Sequence, residues 1–180
     1  MMNKNGQKFG FDETQTKAIS LCCDVNRRVV PVTGAAGTGK TTILQSVHKT
    51  LKARGYNVVL CAPTGKAAKR IQEATGISAR TIHRLLEYPY PGERDEKTGK
   101  TLISTDPKKD RQDPIEYDAV LVDEYAMVSV EVHRNLLAAL PHGGIIRMFG
   151  DANQLQPIES SKRLQAEPSS FITLLDKYSG

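Results

Sequence analysis

The chain has 180 residues, enough for one domain that buries roughly 70% of its unfolded surface. With 39% apolar and 25% charged residues it has the composition of a soluble globular protein; no apolar run approaches the ~20 residues of a membrane span, and no signal peptide opens it. The net charge of +5 is concentrated in residues 52–111, which hold 13 Lys/Arg against 7 Asp/Glu. Such a segment suits a polyanion about as readily as it suits a solvated loop. Cys22, Cys23 and Cys61 lie in apolar stretches without C-x-x-C spacing, which reads as buried thiols in a reducing, cytoplasmic setting.

Along the chain, Asp12 to about Asn26 reads as a helix, with Asp12 as N-cap and Gln15 at capping-box spacing. "VVPVT" (29–33) reads as a strand, and Thr38 to Arg54 as a helix ending at Gly55. "NVVLCA" (57–62) is a second strand, Gly65–Ala74 a helix closed by Gly76, and Ser78–Glu87 a short helix. "DAVLVD" (118–123) and "GIIRMF" (144–149) are two further strands, separated by a helix from Ser129 to Leu140. "PSSFITLLDKYSG" reads as a last short helix. Val/Ile-rich strands alternating with helices predict an α/β fold, a parallel sheet with helices on both faces. Residues 88–116 break the alternation. Their Pro and charge content, and a turn at Thr98-Gly99 before "KTLIST", predict a small inserted β-hairpin.

The first strand runs into "GAAGTGKTT", a match to G-x-x-x-x-G-K-[ST] that then opens a helix. In such a P-loop the backbone of Gly34, Ala35, Ala36, Gly37, Thr38 and Gly39 can turn its N–H groups toward phosphates. The helix N-terminus at Lys40, Thr41 and Thr42 adds its positive end. Lys40 would reach the β/γ-phosphates of ATP and Thr41 would ligate Mg²⁺. "AVLVDEY" supplies Asp123 for the metal and Glu124 as a base for the attacking water. "GDANQLQPI" follows the last strand and should emerge on the same sheet edge, where Gln154 can hydrogen-bond a γ-phosphate oxygen.

Taken in order, these segments resemble superfamily 1 DNA helicases of the RecD/Dda type, which move 5′→3′. "FDETQTKAI" looks like the Q-motif, "GAAGTGKTT" is motif I, "APTGKAAKRI" resembles motif Ia, "TIHRLL" motif Ib, "VDEYAM" motif II and "GDANQLQPI" motif III. The resemblance implies a P-loop NTPase with a RecA-like parallel sheet, using ATP and Mg²⁺ and gripping single-stranded DNA. Residues 1–180 would be the first RecA-like domain, with 88–116 as its pin-like insertion. Gln15 would read adenine, although the capping box competes for the same amide. Pro63, Thr64, Lys66 and Ala67 in motif Ia, and Thr81 and His83 in motif Ib, would contact the strand. Two departures stand out: Tyr125-Ala126 replaces a hydroxyl-bearing pair in motif II, and Gln156 replaces a proline in motif III. The family's second RecA-like domain, with its arginine fingers, is expected outside this chain. Two rivals remain at this level, another kind of P-loop ATPase and a non-catalytic nucleotide- or DNA-binding module.

Overall fold

The structure, a computed structural model, describes residues 10–89 and 106–153, with Thr173 and Leu175 beyond them. Five strands pair in one all-parallel sheet: β1 (Val29–Thr33), β2 (Val58–Ala62), β3 (Ala79–Thr81), β4 (Ala119–Val122) and β5 (Ile145–Gly150), in the spatial order β1-β5-β4-β2-β3. Every residue of β2, β4 and β5 is buried, as a parallel sheet covered on both faces requires.

Alternation along these strands divides the core in two. On one face Leu60, Ala62, Leu121 and Phe149 meet α1 (Glu13–Cys22), α2 (Lys40–Ala53) and α3 (Gly65–Thr75). On the other, Cys61, Val122 and Met148 meet α4 (Ile82–Leu85), a 3₁₀ turn at Tyr125–Met127 and α5 (Val130–Ala138). Leu175 also packs against this second core. The three cysteines are buried and free, and burial pushes the Cys22 and Cys61 thiols up to about 12.

Several boundaries differ from the expectation, each for a local reason. The helix expected over Ser78–Glu87 is instead β3 followed by α4. Ala79–Thr81 pairs with Leu60–Ala62, and Thr81, in extended backbone, caps the turn that follows. Three residues are too few for periodicity to separate strand from helix. Helix α1 stops at Cys22, short of Asn26. The guanidinium of Arg147, wholly buried on β5, takes the carbonyls of Cys22, Asp24, Arg27, Arg28 and Ile146. Asn26 N–H, which a continued helix would give to the Cys22 carbonyl, donates instead to Asp24 Oδ1 at 3.1 Å. Helix α2 begins at Lys40 because Gly39 sits at φ 85°.

The expected hairpin turn and "KTLIST" lie outside the described residues. Residues 106–116 form turns and bends without a strand. The two ends of the insertion do meet: Lys109 N–H donates to Leu86 and Lys108 N–H to Glu87. Lys109 also bridges the Glu87 and Asp113 carboxylates at 3.9 and 3.1 Å.

Candidate active site

A parallel sheet sends every strand's carboxyl end to one edge, so the site is built along that edge in the order β1, β5, β4, β2, β3. At its β1 end the chain turns sharply. Gly34 N–H donates to the Gly150 carbonyl at 3.1 Å, which fastens the loop to β5. Gly37 and Gly39 lie at φ 81° and 85°, where an L side chain is strained. A Cβ on Gly39 would fall 2.7 Å from Gln15 Nε2, and one on Gly34 the same distance from Thr38 Oγ1. Thr38 Oγ1 donates to Ala35 at 2.8 Å and closes the loop on itself.

Lys40 is the first residue of α2. Its ammonium donates to the Gly34 carbonyl and to that of Ala35 at 2.9 Å, so its charge lies over the loop. Thr41 and Thr42 follow in the first helical turn, whose N–H groups have no intrahelical acceptor. The loop residues 35–38 are exposed.

Gln15 forms the expected capping box. Its N–H donates to Asp12 Oδ1 at 2.7 Å, while its Oε1 accepts from Asp12 N–H at 3.2 Å. Its Nε2 donates to the Thr38 carbonyl at 3.1 Å, which ties α1 to the loop. Sequence spacing suggests the cap but carries no sign of the second bond, which spans 23 residues.

Two strands away, β4 ends in Asp123, 8% exposed, whose N–H is bonded to Cys61 O. Its carboxylate accepts Glu124 N–H at 2.9 Å. Burial raises the Asp123 carboxyl above its usual range; the Glu124 N–H and the Lys40 charge pull the other way, and the Glu124 carboxylate pushes it further up. Glu124 itself lies at φ 54°, ψ 37°, a left-handed conformation that costs a non-glycine residue on the order of 1–3 kcal/mol. Its Oε2 is buried without a hydrogen-bond partner. An orphaned carboxylate oxygen on a strained residue is the kind of arrangement that persists where something other than stability holds it.

Tyr125 is wholly buried, and its hydroxyl meets His133 Nδ1 of α5 at 2.7 Å. Motif II thus keeps a hydroxyl, but this one is directed into the core and not along the edge. Between the two strands, β5 ends in Gly150 and the buried Asp151, whose Oδ1 accepts Asn153 N–H at 3.0 Å. Gln154, expected to sense the γ-phosphate, lies outside the described residues.

The residues expected to touch DNA fall at the other end of the same edge. Pro63 and Thr64 follow β2, and Thr81 ends β3. Both threonines are N-caps: Thr64 Oγ1 accepts Ala67 N–H at 3.2 Å, and Thr81 Oγ1 accepts Arg84 N–H at 3.1 Å. Each hydroxyl hydrogen stays free to donate. A threonine just before each helical run was a readable capping signal. Lys66 is exposed, Ala67 half-buried. The exposed His83 ring lies 4.7 Å from that of Tyr88, whose hydroxyl accepts from Asn135 at 2.8 Å.

A sheet whose first strand feeds a glycine loop into a helix, with adjacent carboxylates at the end of a nearby strand, is the RecA-like form of the P-loop α/β fold. The chain belongs to the family described as an AAA domain, which matches residues 10–167. It is 36% identical over 168 residues to the ATP-dependent RecD2 DNA helicase of Deinococcus radiodurans, covering 91% of this chain and 21% of that protein. It is 30% identical over 175 residues to the ATP-dependent DNA helicase dda of Enterobacteria phage T4, covering 96% and 37% respectively. Among solved structures, the fold is similar to Bacteroides sp Pif1 in complex with ADP-AlF4 (TM-score 0.57, 24% identity, 95% of this chain and 37% of that one). The chain therefore spans well under half the length of these relatives, and the resemblance to RecD/Dda-type helicases is borne out. No helix among the described residues is long and apolar enough to cross a membrane.

Proposed function

We propose that this chain is the ATP-hydrolysing motor domain of a 5′→3′ DNA helicase, acting on single-stranded DNA together with a second RecA-like domain. The observation that carries the reading is one sheet edge bearing both the Lys40 loop and, two strands along, the buried Asp123 with the orphaned carboxylate of Glu124. The loop N–H groups and Lys40 bind the phosphates, and Lys40 exchanges its loop carbonyls for phosphate oxygens. Glu124 Oε2 accepts the proton of the attacking water, having no other partner to give up. Gln15 holds the loop through Thr38 and would also read the adenine edge. Gln154 would report the γ-phosphate.

The residues fit a divalent cation. Asp123 is a buried carboxylate with one N–H partner and a raised pKa, a charge that a cation would compensate. No group of three His, Cys, Asp or Glu among the described residues could hold a metal alone. That suits Mg²⁺, which is bound through one carboxylate and the nucleotide's own phosphates. Thr41 and Asp123 would hold it, and when bound it supplies charge neutralisation at the phosphates.

The arginine that meets the γ-phosphate is assigned to the second domain. Arg147 is wholly buried on backbone carbonyls and Arg28 lies at the amino end of β1, across the sheet from the loop. Phosphate release with and without single-stranded DNA tests the proposal. The chain alone should bind Mg-ATP and turn it over slowly. Supplying the second domain should raise the rate by about 10³–10⁵ and make it DNA-dependent. Brisk DNA-stimulated hydrolysis by the monomeric chain would oppose the division of labour; failure to bind nucleotide would oppose the reading as a whole.

A further inference from the structure

At the opposite edge of the sheet a groove of about 940 Å³ runs from His133 on α5 down to the loop before β5, walled on one side by the returning end of the insertion. Three arginines line it, Arg28, Arg111 and Arg134, all exposed and none in an ion pair among the described residues. No carboxylate among the described residues lines it. The two nearest in sequence to Arg111 are already engaged. Asp110 accepts the N–H groups of Gln112 and Asp113, and Asp113 pairs with Lys109. Between the arginines the lining is apolar, with Val29, Pro114, Leu137 and Pro141 half-buried.

We propose that this groove is a docking site for an acidic, leucine-bearing segment of a partner protein. Charge complementarity favours that occupant: three guanidinium groups without an ion pair among the described residues favour carboxylates, whose fork they match. The half-buried aliphatic floor favours side chains that complete its burial. Nucleic acid fits less well, because single strands bind through stacking on aromatic rings and no Phe, Tyr or Trp among the described residues lines the groove. The groove faces away from the P-loop edge, so it can be filled while nucleotide and DNA are bound. One lining residue reaches back toward the active site. His133 holds the Tyr125 hydroxyl, and Tyr125 follows Glu124.

The test is fluorescence anisotropy of a short fluorescein-labelled peptide in which Asp-Glu pairs alternate with leucines, titrated with the chain at low ionic strength. Saturable binding is expected. It should weaken by roughly tenfold or more when Arg28→Glu, Arg111→Glu and Arg134→Glu are combined. An equal charge change elsewhere, Lys17→Glu with Lys49→Glu and Lys52→Glu, should leave it within about threefold. Replacing the peptide's leucines by serine should also weaken it by roughly tenfold or more. All six substituted positions are exposed, and circular dichroism checks that both variants fold. Absence of saturable binding, or equal losses in the two charge variants, overturns the proposal. So does an oligothymidine probe that displaces the peptide through the same three arginines, which would make the face a nucleic-acid surface. Concentration-dependent self-association lost in the groove variant would overturn it in favour of a second copy of this chain.

Discussion

At the β1–β5–β4 end of the carboxyl edge the backbone is held in conformations that ordinary residues avoid; at the β2–β3 end the residues expected to meet DNA sit in ordinary backbone, with Glu87, past α4, at φ 54°. Gly37, Gly39 and Glu124 all lie at positive φ, and a Cβ on either Gly34 or Gly39 would meet a neighbour at 2.7 Å. Thr64 and Thr81, by contrast, cap helices in ordinary extended geometry, and the Lys66 and His83 side chains face solvent. The first half depends on a few positions that nothing else can fill. The second depends on summed charge, where each residue contributes a little. Single substitutions should therefore have large effects in the first half and small ones in the second.

The largest expected effect is Glu124→Gln, which keeps the shape of the side chain and removes the base. In the protein carrying both motor domains, hydrolysis should fall by about 10²–10⁴, with nucleotide affinity changed little. Unaltered turnover would remove Glu124 from the chemistry and break the comparison at its strongest point.

Asp12 and Gln15 sharpen the same half. Asp12→Ala removes the cap and should cost about 1 kcal/mol of stability with little change in nucleotide affinity. Gln15→Ala should cost less stability but weaken nucleotide binding several-fold, because it also frees Thr38. Thermal melts and nucleotide titrations on the two variants separate cap from brace. Equal effects would mean that Gln15 acts only through the cap.

Asp123→Asn should stabilise the fold while weakening magnesium-dependent nucleotide binding. Burial raises the Asp123 carboxyl, so the folded state holds that proton more tightly than the unfolded chain does. Its contribution is present below the unfolded pKa and lost as pH rises through the folded one. At neutral pH the Asn variant should melt a few degrees higher, about 1 kcal/mol being worth roughly 2–4 °C at this size. The gap should close below about pH 4. A lower melting temperature at neutral pH would show that the carboxylate is better compensated than its surroundings imply.

The smallest effect belongs to the other half. Lys66→Ala should weaken single-strand binding for all sequences alike and flatten the log–log salt slope by about 0.7, the share of one phosphate contact. A sequence-dependent loss, or none, would take Lys66 out of the DNA track.

How far the sequence was legible follows the same division. The glycine loop, the carboxylate pair and four of the five strands are written in runs long or specific enough to read, since each needs particular residues at fixed spacing. β3 was not, because a three-residue edge strand has no period of its own. Contacts between distant segments were also silent. Gln15 reaching Thr38, Arg147 gathering the carbonyls after α1, and Tyr125 meeting His133 all depend on how elements pack. A buried arginine inside an apolar strand was a visible anomaly, but its partners are main-chain carbonyls, which no side-chain pattern announces. The groove along α5 was equally hidden, being assembled from three separate segments.

The central claim is that the loop around Lys40 binds Mg-nucleotide. Its most direct test is equilibrium titration of a fluorescent ATP analogue against the parent chain and Lys40→Ala, with circular dichroism on both. The Lys40 ammonium bonds carbonyls of its own loop, so the variant should fold as the parent does. Binding to the parent should be saturable and magnesium-dependent. In the variant it should weaken by about 2–5 kcal/mol, thirty-fold or more. Equal affinity in the two folded proteins, or no saturable binding in either, would contradict the account.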